Sequence, residues 1–203
     1  MKWDELPSDD IIEKTAESIR SRGIEVIVVN SKKEAFEKVL EIVPKNSEIS
    51  NGSSTTLNEI GFIDYLKSGK HGWKNLHEEI LKEKNQAKQN DLRRKSVTAE
   101  YFFGSVNAIA QTGELVACDA SGSRVSAYPF AAKKLVLVAG AQKIVPTLDD
   151  AIKRIREYVY PLEDNRAMET YGVHSTTGKW VIMEREIFPN RTTLILVKEK
   201  LGF

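Results

Sequence analysis

Two segments of this chain gather hydroxyls, small residues and charge where a strand gives way to a turn. The first is Asn51-Gly52-Ser53-Ser54-Thr55-Thr56. A short strand is predicted before it, near Glu48–Ser50, and a helix after it, so backbone N–H groups and the helix dipole converge on one point. Small residues let an anion approach, and the four consecutive hydroxyls can donate to it, which suits a phosphate or a carboxylate. The competing reading is a plain capped turn, because Thr56-x-x-Glu59 reads as a capping box. No Gly-Lys-Ser/Thr follows, so this is not a Walker loop. The second segment is Asp119-Ala120-Ser121-Gly122-Ser123-Arg124, again after an apolar strand. Ser121 supplies a hydroxyl, Gly122 a flexible backbone and Arg124 a guanidinium that can fork onto a carboxylate or phosphate. The competing reading is a surface turn held by its own salt bridge.

Three acids are candidates for proton transfer: Glu100, Glu114 and Asp119. Glu100 precedes Tyr101, Phe102 and Phe103, whose apolar rings would raise its pKa, although a charged loop residue beside core aromatics explains it as well. Glu114 sits in the turn Gln111-Thr112-Gly113-Glu114 of a predicted hairpin, where an acid is usually solvated. Asn107 reads as a hydrogen-bonding ligand at a strand edge. His71, His77 and His174 have no metal-ligand spacing, so no metal is expected. Cys118, the single cysteine, lies in an apolar run and reads as a buried small residue. It excludes an intramolecular disulfide and a cluster built by this chain alone. No G-x-G-x-x-G follows a strand, so the cofactor is left unassigned.

The elements that must position these residues alternate. Helices are predicted after Asp10-x-x-Glu13, after Ser31-x-x-Glu34 up to Pro44, from Thr56 to Gly69, over Trp73–Lys95, and from Thr147-x-x-Asp150 to Pro161. Between them lie apolar strands: Ile24–Asn30, Val106–Ala110, Leu115–Asp119, Leu135–Ala139 and Thr192–Lys198. Residues 162–190 show no clear periodicity. This alternation predicts an α/β sheet with helices on both faces.

The 203 residues suit a single domain, with a core over roughly 10–165 and an extension over 166–203 that ends in a strand. Thirty Lys and Arg against 29 Asp and Glu leave a net charge of +1, which gives no footprint for nucleic acid or an anionic membrane. No apolar run approaches the ~20 residues that span a bilayer, and no leader is visible, so a cytoplasmic protein is expected.

NGSSTTLNEIG, followed by the run from AEYFFGSVNAIAQTGELVACDASGSR to IKRIREYVYPLE, resembles the LUD-domain family, the lactate utilization protein group. The resemblance implies a Rossmann-like three-layer α/β/α sandwich, similar to ribose-5-phosphate isomerase, glucosamine-6-phosphate deaminase and the coenzyme A transferases. It implies a pocket at strand ends, with Gly52–Thr56 against an anionic group. It also implies a link to oxidation of L-lactate to pyruvate, beside partner proteins that carry iron–sulfur clusters. The family often has an acid where this chain has Gln111, and some relatives carry cysteines where residues 164–191 have none. The expected partner is therefore a small anionic molecule, with iron–sulfur proteins as candidate associates and a homo-oligomer compatible. The expected role is an accessory protein or subunit in lactate or organic-acid utilization. The alternatives are an isomerase- or transferase-like enzyme acting on a phosphorylated or acyl small molecule, and a non-catalytic binding module.

Overall fold

Strands that are apolar along their whole length must be covered on both faces, and this requirement organises the chain. The computed structural model describes residues 2–203. In chain order its first strands are β1 (Glu25–Val29), β2 (Glu48–Asn51), β3 (Lys74–Asn75), β4 (Tyr101–Gly104) and β5 (Ala108–Ala110). They are followed by β6 (Leu115–Asp119), β7 (Lys134–Gly140), β8 (Ile144–Val145), β9 (Lys179–Met183) and β10 (Thr192–Val197). The helices are α1 (Asp9–Ser21), α2 (Lys32–Ile42), α3 (Thr55–Glu59), α4 (Phe62–Lys67), α5 (Leu76–Lys82), α6 (Gln86–Ser96), α7 (Leu148–Arg154) and α8 (Tyr160–Tyr171).

Six strands form a parallel sheet in the order β1-β10-β7-β4-β2-β3. Successive side chains leave a strand on opposite faces. Leu135, Leu137, Ala139, Leu194 and Leu196 therefore pack with Ile12, Ala16 and Ile19 of α1. Val136, Val138, Ile195 and Val197 pack on the other side with Ala35 and Val39 of α2 and with Leu57, Phe62 and Leu66. The result is the Rossmann-like α/β/α layering. The α1 face is shared with a second sheet of order β8-β5-β6-β9. Its far side is covered by Ala151 of α7 and by Ile155 and Val159.

Several elements depart from the sequence-based expectation. Tyr101–Gly104, absent from the predicted strands, is a central strand: Phe102 and Phe103 point into opposite layers. The segment beyond residue 165 is no extension, since β10 lies between β1 and β7 with all six residues buried. The helix expected over Trp73–Lys95 is split into β3, α5 and α6 by two asparagine caps, Asn75 and Asn85. α1 is capped by Ser8 and not Asp10, while Ser31 and Thr147 cap α2 and α7 as expected. Pro161 does not stop the helix that begins with α7. A π-helical turn over Ile155–Val159 joins α7 to α8 and widens the backbone where the proline ring would otherwise meet a carbonyl.

β4 must end in glycine. A Cβ on Gly104 would sit 2.0 Å from Tyr128 Oη. That hydroxyl is held in place, donating to the Ser105 carbonyl at 2.9 Å and accepting from the Ser105 N–H at 3.2 Å. Gly104→Ala is expected to destabilise the protein by about 1–3 kcal/mol through overpacking, measured by urea unfolding. In the double variant with Tyr128→Phe the two losses should be clearly less than additive.

Candidate functional site

Because the main strands are parallel, their carboxyl ends open along one edge of the sheet, where α/β folds place ligands. Asn51 ends β2, Ser105 follows β4, Lys143 lies just past β7, and Leu201–Phe203 follow β10. Asn51, Ser105, Lys143 and Phe203 all line one cavity of about 900 Å³, a volume suited to a small-molecule ligand.

Lys143 is the most unusual group on its floor. The residue is 2% exposed, and Nζ lies 3.0 Å from Thr56 Oγ1, 3.1 Å from Ser105 Oγ and 3.1 Å from the Val106 carbonyl oxygen. All three partners are neutral. Burial, reinforced by the positive charges of Arg154 and Arg124 and only partly opposed by Glu59, lowers its pKa well below the ordinary 10.5. The tail lies directly over this group. Thr56 Oγ1 donates to the Leu201 carbonyl at 3.3 Å, Gln142 Nε2 to the same oxygen at 2.9 Å, and the Gly202 N–H to Glu59 at 2.7 Å.

The two loops form adjoining walls. A Cβ on Gly52 would fall 2.5 Å from Cγ of Arg124, so the absence of a side chain lets the arginine stem lie across the first loop. The Arg124 guanidinium donates to the carbonyls of Ser105 (3.1 Å) and Cys118 (2.6 Å). Asp119 organises its own turn, accepting from the N–H groups of Ser121 (3.0 Å), Gly122 (3.2 Å) and Arg124 (2.9 Å). In the first loop Ser54, not Thr56, caps α3. Thr56 turns inward to Lys143 instead. At five residues, α3 supplies little of the expected dipole.

The mouth comes from α5, α6 and α8. Arg166 holds Glu163 through two bonds of 2.8 and 2.7 Å. Arg93 lies at the rim, has no carboxylate partner among the described residues, and helps depress the pKa of His77, which burial lowers first. Asn51 is 4% exposed; its Nδ2 donates to the Gly52 carbonyl at 3.2 Å, and its Oδ1 is buried without a donor.

The cavity thus brings together Asn51, Gly52, Ser53, Ser54, Thr55, Thr56, Asn107, Asp119, Ser121 and Arg124. Asn107 is also a latch: its Oδ1 accepts from the Cys118 N–H at 2.8 Å. Gly122 packs towards Lys179 and lies outside the lining, as do Glu100 and Glu114. Glu100 precedes β4, at the amino end of the sheet, and faces Lys133 at 3.7 Å. Glu114 binds Arg22 at 2.6 Å; burial opposes its ionisation, but hydrogen bonds from Thr112 and Arg22 win and lower its pKa. A proton-transfer role in the cavity for these two acids is therefore dropped. Burial pushes the Cys118 thiol up to about 11, so it is a poor nucleophile. Among the described residues no group of three or more His, Cys, Asp or Glu could hold a metal ion, and no helix is long and apolar enough to cross a membrane.

These features define an α/β protein with a cavity of mixed polar and apolar lining, basic side chains at its rim and floor, over the carboxyl ends of a parallel sheet. The chain belongs to the LUD-domain family, whose LUD domain matches residues 12–197. Among solved structures it is similar to a DUF162 family protein from Deinococcus radiodurans, with a TM-score of 0.55 and 14% identity over 95% of this chain and 99% of that one. At that identity the likeness is one of fold. No curated protein matches it.

The lowered Lys143 pKa makes stability depend on pH. Between the native value and the ordinary 10.5, the unfolded chain keeps a proton that the native amine has released. Unfolding free energy should therefore rise with pH across that window, by at most about 1.4 kcal/mol per pH unit. Urea unfolding at a series of pH values should show this rise in the wild type and lose it in Lys143→Met.

Proposed function

We propose that the cavity binds a small organic anion of the 2-hydroxycarboxylate class. On this reading the protein acts in lactate or related organic-acid utilization as an accessory protein or subunit, in the cytoplasm. The observation that carries the proposal is the charge balance of the lining. Asp119 and Glu163 are each held by an arginine, which leaves Arg93 without an acid at the rim. A carboxylate or phosphate would supply the missing charge, and the hydroxyls of Ser53, Ser54 and Thr55 in the first loop supply neutral donors.

Asn51 favours a hydroxy acid over a plain anion. Its Oδ1 is an acceptor without a donor, and such a group costs stability until a donor reaches it. A hydroxyl next to a carboxylate offers that donor, whereas a 2-oxo acid does not. Electron transfer in such a pathway would fall to iron–sulfur partner proteins, the class implied by the family resemblance.

Titration calorimetry with L-lactate, pyruvate and inorganic phosphate tests the reading. L-lactate should bind about 5-fold more tightly than pyruvate, the worth of one hydrogen bond. Arg93→Ala should weaken lactate binding by about 3–10-fold, with the effect shrinking as salt rises. No heat with any of the three anions would defeat the proposal, and an unchanged affinity in Arg93→Ala would remove its electrostatic basis.

A further inference from the structure

We propose that Ser105 and Lys143 form a nucleophile–base pair on the cavity floor, acting on an activated acyl group, an ester or thioester, whose carrier bears an anion. The inference rests on the cavity being the ligand site proposed above, and it adds a covalent reaction to it. Two observations carry it: the 3.1 Å separation of Ser105 Oγ and Lys143 Nζ within one cavity lining, and the hydrogen-bond arrangement around them.

That arrangement accepts the proton in either place. With the amine neutral, Nζ donates to the Val106 carbonyl and to Thr56 Oγ1, Thr56 donates onward to the Leu201 carbonyl, and the Nζ lone pair accepts from the Ser105 hydroxyl. With the amine protonated, Nζ donates to all three oxygens, and the Ser105 hydroxyl has the Val106 carbonyl at 3.3 Å. No donor is stranded in either state. A lysine serving only as a strut would be expected to face a carboxylate, since burying an unpaired ammonium is expensive. This one faces hydroxyls instead, and Arg154 and Arg124 press it towards the neutral form that can take a proton.

In the reaction Ser105 Oγ forms a bond to the acyl carbon while its proton passes to Nζ. Arg124, bonded to the Ser105 carbonyl at 3.1 Å, is the nearby positive charge for the oxyanion. Collapse breaks the bond to the leaving oxygen or sulfur, which takes the proton from the Lys143 ammonium. Water, deprotonated by the same amine, then attacks the acyl carbon. Release of the acid restores the serine hydroxyl, with no oxidant or reductant consumed. Thr56 acts as a positioning residue for Nζ.

The test uses a fluorophosphonate probe on the full chain, with the adduct read by intact mass and peptide mapping. A single adduct on Ser105 is expected, with fluoride released as the serine proton passes to Lys143, and none in Ser105→Ala. Lys143→Arg, which keeps a donor but cannot act as a base, should slow labelling by about 100-fold or more. The wild-type labelling rate should rise with pH through one ionisation below the ordinary lysine range. Arg124, Arg154 and Glu59 are the charged groups facing that amine. Absence of a Ser105 adduct in the wild type, or equal labelling in Lys143→Arg, would overturn the pair. The anion reading is judged separately, from the wild-type lactate isotherm, so either can fail alone.

Discussion

Lys143 enters the interior between the ends of parallel strands and finds three neutral oxygens there, from Thr56, Ser105 and Val106. These oxygens belong to the turn into α3 and to the exit of β4, while the lysine itself hangs from the exit of β7. One nitrogen therefore ties together segments that are far apart in sequence. The geometry is possible because the strands are parallel and in register, with Phe103 of β4 opposite Val136 of β7 and Asn51 of β2. An antiparallel neighbour would bring an amino end to this edge and leave the nitrogen with fewer partners.

Two further cations lie close to that nitrogen, and both are anchored to backbone carbonyls. Arg154 is fully buried, donates to the carbonyls of Trp3 and Asn107 at 3.0 and 2.5 Å, and leaves Nη2 without a partner. Burial lowers its pKa to about 10. Arg124 spends its guanidinium on the carbonyls of Ser105 and Cys118. Arg124 thereby links β6 of the second sheet to the exit of β4, while Arg154 ties α7 to the carbonyl just before β5. The cost of burying these charges is met partly by carbonyl oxygens, and burial together with the two guanidinium groups shifts the lysine towards its neutral form.

The sequence reveals the layers more readily than the floor. Runs such as KLVLVAG and TTLILV are apolar on both faces, and a parallel α/β sheet follows from that directly. The two hydroxyl-rich loops are legible because small and polar residues after a strand have few other uses. Ser105 and Lys143 are not legible in the same way. Each is a lone polar residue after a hydrophobic run, and only the strand order shows that the two runs are neighbours. Glu100 and Glu114 mislead for the complementary reason: an acid beside aromatics or in a turn looks the same at either end of a strand, and these two lie away from the strand ends that face the cavity. Thr56 shows the limit of local signals. Thr-x-x-Glu fits a capping box, but Ser54 takes the cap, and the threonine is free to serve Lys143.

The tail after β10 extends the same logic to the cavity floor. Gly202 has a φ of 59°, the left-handed region that favours glycine. A Cβ there would fall 2.4 Å from Thr56 Oγ1 and 3.3 Å from Lys143 Nζ. The tail can lie on the threonine only because that side chain is missing. The Leu201 carbonyl then receives the Thr56 hydroxyl proton, which leaves the threonine lone pairs directed at Lys143. The orientation of the amine towards Ser105 is thus set by the tail, through Leu201 and Thr56.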